Sequence, residues 1–243
     1  MTGLVDTLHE HERIWSQRPL LRRIYREWFE LMAAQFARVP GVTVELGCGG
    51  AHLREVVPDV VETDVEPTPW ADAVVDAERM AYADRSVANL ALVDVFHHLS
   101  SVERFLTEAT RVLAPGGRIV VLDAYCSLLS TLAYSRFHHE RLNLDADPFR
   151  EDSSIAGDPM DANIARTTLV FFRHAHVVEE RWPELTIADR RLLSFVAYPL
   201  SGGYSRPQIL PKWAYTPVMA LERTLTPARR LLAFRCLVTI ERR

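Results

Sequence analysis

Two glycines and three acidic residues mark successive turns in the first third of the chain. Gly47 and Gly49 end an apolar run, and Glu45 stands two positions before Gly47. Glycines at a strand-to-helix turn let the backbone approach a ligand closely and leave helix N–H groups free to bind it. Asp64 ends the next apolar run, where a carboxylate can accept both hydroxyls of a ribose, and Asp76 follows a third. This spacing favours a ligand that contains a ribose.

The sequence of the glycine turn also argues against a nicotinamide cofactor. A nicotinamide-binding fingerprint has the pattern Gly-x-Gly-x-x-Gly, and here His52 occupies the last position. The sequence also lacks an evident Tyr-x-x-x-Lys catalytic set. An NAD-dependent oxidoreductase is therefore a disfavoured alternative.

Short apolar runs alternate with helical stretches along most of the chain. Strands are predicted at residues 43–46, 60–63, 73–75, 89–93, 118–122, 185–193 and 233–240. Helices are predicted at residues 8–37, after the glycine turn as far as Val57, and at 102–113, through Val178 and at 217–225. Such alternation implies an α/β fold in which a parallel sheet is covered on both faces.

Four segments, in matching order and spacing, resemble the motifs of class I S-adenosylmethionine-dependent methyltransferases. They are residues 44–50 (Val-Glu-Leu-Gly-Cys-Gly-Gly), 61–67, 75–77 and 91–99, and the run 105–123 resembles the small-molecule, methyltransferase-11 type. The resemblance covers residues 42–124. It implies a Rossmann-like, seven-stranded, mostly parallel sheet with helices on both faces and an antiparallel last strand. Ala51 replaces a frequent third glycine, and we expect it to keep a negative φ.

At the methionine end of the cofactor, the resemblance implies a role for five positions. Gly47, Cys48 and Gly49 pass beneath the methionine part of S-adenosylmethionine. Glu45 lies nearby, and Asp94 begins the loop next to the sulfonium.

At the adenosine end, the resemblance implies that Asp64 holds the ribose and that Val65 packs on the adenine. Asp76 accepts a hydrogen bond from the adenine amino group, with Ala77 alongside. Tyr25 is expected to reach the cofactor from the N-terminal helix. As alternatives, Glu45 and Asp76 could be helix caps and Asp64 a turn residue.

Two histidines follow the fourth predicted strand. An imidazole with a pKa near 6.5 could take a proton from an attacking hydroxyl, so His97 is the candidate general base and His98 a candidate substrate contact. A structural role is the alternative for both. For His138-His139-Glu140 the sequence favours a solvated helix face, with His138 as a substrate contact, and no metal site is predicted.

The resemblance leaves the later part of the chain less defined. We expect a single domain over residues 1–243, with an N-terminal helical cap at 8–37 and a lid-like insertion at 126–168. Tyr204 and Arg206, in a Pro/Gly-rich passage, are candidates to line the acceptor pocket. The alternative is a simple connector with a Gly-Gly turn.

Composition narrows the classes of partner. Of 243 residues, 48% are hydrophobic and 25% charged, and the net charge of −4 argues against nucleic acid. Three distant cysteines without a CxxC pair favour a reducing cytoplasm over a disulfide framework. We expect no signal peptide and no transmembrane segment. Arginine pairs beside apolar faces, at 22–23 and 229–230, leave a weak interfacial membrane contact open. The oligomeric state is not determined by the sequence.

The sequence therefore predicts methyl transfer from S-adenosylmethionine to a small-molecule acceptor by in-line displacement. The acceptor class would be a natural product, a sugar or a lipid-linked intermediate. A relative that binds the cofactor without turnover is the second alternative, beside the oxidoreductase.

Overall fold

The computed structural model describes residues 4–138, 140–152, 155, 162–204 and 206–243. Its strands are β1 Val42–Leu46, β2 Val61–Asp64, β3 Ala73–Val74, β4 Val87–Val93, β5 Leu113–Ala124, β6 Leu185–Leu193 and β7 Arg235–Arg242. Its helices are α1 Leu4–Gln17, α2 Pro19–Ala33, α3 Val102–Val112, α4 Leu128–Phe137, α5 Arg166–Thr168, α6 Ala175–Arg181, α7 Ala197–Ser201, α8 Tyr215–Thr224 and α9 Arg229–Leu232.

All seven strands form one sheet in the order β3-β2-β1-β4-β5-β7-β6. The first five strands pair in parallel, and β7 runs antiparallel to both β5 and β6. The predicted Rossmann-like fold with an antiparallel last strand is therefore confirmed. Because β1 and β4 are neighbours, the loops after them open at the same edge, where ligands bind in such sheets.

The sheet buries apolar side chains on both faces, as central parallel strands require. On β4, Leu90 and Leu92 join a core cluster with the apolar stripe of α3, whereas Ala91 faces a second cluster with α2. Neighbouring β5 alternates in the same way. The carboxyl edge of the sheet is thus fixed by packing from two sides.

Two predicted helices differ in the structure. The predicted helix 8–37 is two helices, because Pro19 lacks an N–H and begins α2 at its first turn, so α1 ends at Gln17. The predicted helix after the glycine turn is only a 3-10 turn at Leu53–Glu55. Pro58 disfavours helical geometry for the residue before it, which leaves too little chain for a full helix.

Within the described ranges, no helix combines the length and the apolar character needed to cross a bilayer.

Candidate active site

The turn after β1 depends on glycine at two positions. Gly47 has φ +70 and Gly49 has φ +54, in the left-handed region. A methyl group on Gly47 would lie 2.5 Å from Val95 Cγ2, so no other residue fits there without a shift. The Cys48 N–H donates to the Thr63 carbonyl at 2.8 Å, which ties the turn to β2.

Ala51 corrects one expectation. Its φ is +58, not negative, so an alanine adopts the left-handed backbone where glycine is frequent. For a residue with a Cβ this costs about 1–2 kcal/mol. The turn therefore contains local backbone strain.

Asp64 lies at the end of β2 and holds the glycine turn directly. Its Oδ2 accepts the Gly49 N–H at 3.1 Å, and its Oδ1 accepts the Val65 N–H at 2.8 Å. Burial raises the pKa of this carboxyl against the lowering effect of those bonds. A carboxylate has about four lone-pair positions, so capacity remains for two ribose hydroxyls.

Glu45 is a second buried carboxyl beside the turn. Its Oε2 has no hydrogen-bond partner among the described residues. Burial, and then the charges of Glu62 and Asp64, raise the pKa of Glu45 well above its usual value. Burial therefore disfavours the ionised carboxylate at this edge of the sheet, and a bound cation would favour it.

Helix α1 covers the glycine turn. A methyl on Gly49 would lie 3.7 Å from a Leu8 side-chain carbon, and one on Gly50 would lie 2.8 Å from Glu12 Oε2. The Trp15 ring stacks on His52, with centroids 3.9 Å apart. Helix α1 thus forms a wall of the candidate cofactor cleft.

The residues predicted for the adenine end lie along one strip after β2 and β3. Val65 is 54% exposed, and Ala77 packs against the core beside buried Val75. Asp76 is exposed and its Oδ1 accepts the Glu78 N–H at 2.8 Å in a turn, whereas the alternative offered by the sequence was a helix cap. Their roles in adenine binding stay predictions.

Asp94 follows β4 and forms the centre of a partly buried polar cluster. It has φ +56, and its Oδ2 accepts the Tyr25 hydroxyl at 2.8 Å. Its Oδ1 pairs with Arg235, whose guanidinium also contacts the Tyr198 hydroxyl. Burial opposes the charge on Arg235, but the Asp94 carboxylate outweighs it and raises the pKa of Arg235. Tyr25 thus reaches the loop expected beside the sulfonium.

His97 does not have the surroundings of a general base. Its Nδ1 lies 2.6 Å from Asp123 Oδ1, and its Nε2 lies 3.3 Å from Glu140 Oε2. Burial disfavours the imidazolium, but these two carboxylates outweigh it and raise the pKa of His97 to about 10. A protonated imidazole has no lone pair to accept a proton. The geometry therefore argues against the role predicted for His97.

Glu140 corrects the prediction of a solvated helix face. Helix α4 ends at Phe137, and the following segment turns Glu140 inward until its side chain is 6% exposed. His98 and His138 lie within 3.7 and 3.9 Å of its carboxylate oxygens. Burial opposes its ionisation, but His97 outweighs this and lowers the pKa of Glu140 to about 2. His139 lies outside the described residues.

The two residues predicted in the Gly-Gly passage are separated. The Tyr204 ring contacts His11 of α1 and Tyr25, with centroids 4.6 and 5.8 Å away. The exposed Arg206 side chain instead donates to the Phe137 carbonyl at 3.0 Å. Tyr204 belongs to the cleft wall, whereas Arg206 fastens α4 to this loop.

Sequence reasoning missed Asp123, Tyr198, Arg235 and the inward position of Glu140. Asp123 had a signal, since it ends the most apolar strand as Asp64 ends β2. Arg235 is a single cation in an apolar run, which indicates a buried partner. Tyr198 had no comparable signal.

Comparisons with known proteins agree with this architecture. Residues 44–121 match a family model described as a methyltransferase domain. Methyltransferase GfsG from Streptomyces halstedii is 30% identical over 91 residues, which are 37% of this chain and 33% of that protein. The aligned part therefore spans about a third of the length of this curated relative.

Solved structures extend the likeness over the fold. Geranyl diphosphate C-methyltransferase from Streptomyces coelicolor A3(2), in complex with Mg²⁺, a substrate analogue and S-adenosyl-L-homocysteine, gives a TM-score of 0.53 at 12% identity. That superposition covers 91% of this chain and 77% of the other. A SAM-dependent methyltransferase from Archaeoglobus fulgidus gives 0.50 at 11% identity, covering 91% and 94%.

The chain thus shares its fold with these methyltransferases. Residues 44–121 match the methyltransferase-domain model, in agreement with the resemblance found in the sequence.

Proposed function

We propose that this chain transfers a methyl group from S-adenosylmethionine to a small-molecule acceptor. One observation carries the proposal, namely the buried carboxyls of Glu45 and Asp64 beside a glycine turn that lies under α1. When bound, S-adenosylmethionine supplies a methyl group activated by a sulfonium. The residues of the chain bind and align the two reactants.

The charge of the cleft fits this cofactor better than a dinucleotide. A sulfonium and an ammonium are cations, which buried carboxylates favour. A pyrophosphate would instead face Glu45, Asp64 and Glu12 around the same turn, where like charges repel. The lone Oε2 of Glu45 offers a hydrogen-bond acceptor to a donor group of the ligand.

Each predicted cofactor contact retains a physical reason in this geometry. Asp64 would accept the ribose hydroxyls while holding the Gly49 N–H. The exposed Val65 side chain would pack on the adenine, and Asp76 with Ala77 would meet its amino edge. Gly47 and Cys48 would pass beneath the methionine part, next to Asp94.

An aromatic wall supports an organic acceptor. The ring of Tyr25 lies 6.3 Å from that of Tyr198 and 5.8 Å from that of Tyr204, and Trp28 packs behind Tyr198 at 5.1 Å. Such rings give apolar area with polar ends. The acceptor class would therefore be a natural product or a lipid-linked intermediate, with the predicted lid at 126–168 closing over it.

The mechanism rests on alignment. A sulfonium needs no further activation, and near-attack geometry alone can supply about 7–11 kcal/mol in favourable models. His97 is held between two carboxylates, so it would fix the rim after β4 rather than remove a proton.

Ligand-dependent unfolding tests the cofactor. S-adenosylhomocysteine at about 100 times its Kd should stabilise the chain by about 2.7 kcal/mol, and NAD should not. A shift with NAD alone would reject the proposal. Binding without methylated product across a broad acceptor panel would identify a relative that lacks turnover.

An interfacial contact belongs to the same proposal. Leu128, Leu132 and Phe137 of α4 are exposed, as is Trp213 before α8, and the arginine pair 229–230 lies in α9, which packs against α4. Apolar side chains flanked by cations favour an anionic membrane surface. Co-sedimentation with anionic vesicles should exceed that with zwitterionic vesicles and fall in Trp213→Ser. Equal binding to both would reject the contact.

A further inference from the structure

The loop after β4 and the segment after α4 bring together three side chains that can bind a metal. Ligand atoms of His97, His98 and Glu140 all lie within 4.8 Å of one another. Glu140 lies 3.3 Å from His97 Nε2 and 3.7 Å from His98 Nε2. We propose that these three residues bind one divalent transition-metal ion of the zinc class.

The spacing is that of ligands around a shared ion. Zinc binds histidine nitrogen and carboxylate oxygen at about 2.0–2.2 Å, so two tetrahedral ligands lie about 3.4 Å apart. The 3.3 Å between His97 Nε2 and Glu140 Oε2 meets this value. The 3.7 Å from His98 Nε2 is to the other oxygen, Glu140 Oε1, so a shared ion requires a small rotation of the carboxylate or of the His98 ring.

Asp123 orients His97 for this purpose. Its Oδ1 lies 2.6 Å from His97 Nδ1, while its Oδ2 accepts the backbone N–H of His97 at 3.1 Å and the Thr167 hydroxyl at 2.8 Å. A metal-binding histidine typically donates its other ring N–H to a carboxylate, which fixes the tautomer. This arrangement directs Nε2 towards Glu140, and the bound ion would take the place of the proton on Nε2.

The donor set selects the class of ion. Two imidazoles and one carboxylate suit zinc, cobalt or nickel, whereas magnesium and calcium prefer oxygen ligands alone. Three protein ligands leave a position for water or for a heteroatom of the acceptor. Binding of an acceptor heteroatom to the ion rests on the proposed function, but binding of the ion itself does not.

Calorimetry on the full chain, stripped with a chelator, tests the site with Zn²⁺ as the probe. We expect one ion per chain with a Kd at or below the micromolar range. His98→Ala and Glu140→Gln should each weaken binding at least about tenfold, the loss typical of disturbed metal sites. His176→Ala is the matched control, because His176 is a histidine outside this cluster, and it should bind as wild type.

Three results would overturn the proposal: no Zn²⁺ binding by the wild type, unchanged affinity in both variants, or tighter binding of Mg²⁺ than of Zn²⁺. If Glu140→Gln fails to fold, His98→Ala decides alone, because the His98 side chain is 20% exposed and tolerates truncation. S-adenosylhomocysteine binding, measured in parallel, separates the two proposals. If the wild type binds Zn²⁺ but not S-adenosylhomocysteine, the methyltransferase activity is rejected and the metal site is retained.

Discussion

The two halves of the sheet's carboxyl edge treat buried charge differently. After β1 and β2, the carboxyls of Glu45, Glu62 and Asp64 lie near one another, and burial raises the pKa of each. Of these three, Glu62 has a nearby cation, Arg54, at 3.1 Å. This half is short of positive charge.

After β4 and β5, each of the three carboxylates contacts a cation. Asp94 pairs with Arg235, and Asp123 and Glu140 hold His97 between them. The ion pairs after β4 and β5 hold the loops there in place. The carboxyls after β1 and β2 are complementary to a cationic ligand.

The largest effect is expected when an ion pair of the neutralised half, after β4 and β5, is removed. Arg235→Met should lower the free energy of unfolding by about 3–5 kcal/mol, because Asp94 would remain as an unpaired buried charge. Arg118→Met is the control, since Arg118 pairs with Glu241 at 2.7 Å in a partly exposed place and should cost about 1 kcal/mol or less. Urea unfolding measures both. Equal losses would mean that Arg235 is not held by a buried pair.

The second prediction concerns the acidic half. Asp64→Asn removes the charge that would accept two ribose hydroxyls, so affinity for S-adenosylhomocysteine should fall at least about tenfold. Calorimetry measures this affinity. Asp59→Asn is the control, because Asp59 is exposed and lies just before the start of β2, at the opposite end from Asp64. Unchanged affinity in Asp64→Asn would contradict the ribose assignment.

The third prediction concerns His52, which packs against α1, and the pH dependence of the free energy of unfolding. Burial lowers the pKa of His52 to about 4, and the groups facing it are Glu12, Glu55, Arg22 and the Trp15 ring. An unfolded histidine titrates near 6.5, so the neutral form contributes stability above that pH and loses it as the pH falls towards 4. Between pH 7 and 5 the loss should be about 1–2 kcal/mol.

His52→Gln should flatten this part of the pH profile of the unfolding free energy, and His176→Gln should not. An unchanged slope in His52→Gln would show that other groups titrate there.

The smallest expected effect comes from Glu45→Gln, which removes the charge of the side chain and keeps its shape. Glu45→Gln should weaken S-adenosylmethionine binding by about 1 kcal/mol or less, and weaken S-adenosylhomocysteine binding less, because only the former has a sulfonium. Stability should be unchanged or slightly higher, since one of three buried acids is removed. Equal losses for the two ligands would indicate a purely steric role.

The sequence predicted the strands and the cofactor motifs well because these depend on local patterns. The apolar runs at 185–193 and 89–93 and the placement of Asp64 needed only strand periodicity and turn chemistry. The break at Pro19 was hidden because one apolar stripe continues through α1 and α2.

The pairs in the site could not be predicted from local patterns. Asp94 and Arg235 are 141 residues apart in the chain, and only the antiparallel insertion of β7 beside β5 brings them together. Glu140 looked solvated because its neighbours are polar. Its position follows from the end of α4 and not from composition.

The contacts of α1 have a kinetic consequence. A ligand that enters beneath this helix must displace the Leu8 and Glu12 side chains from the glycine turn, while Arg18 stays anchored to the Gly203 carbonyl at 2.5 Å. Under the proposed function, escape of the spent cofactor would wait for the same opening. Residence time, rather than the reaction step, would set the turnover rate, and the first cycle would run faster than those that follow.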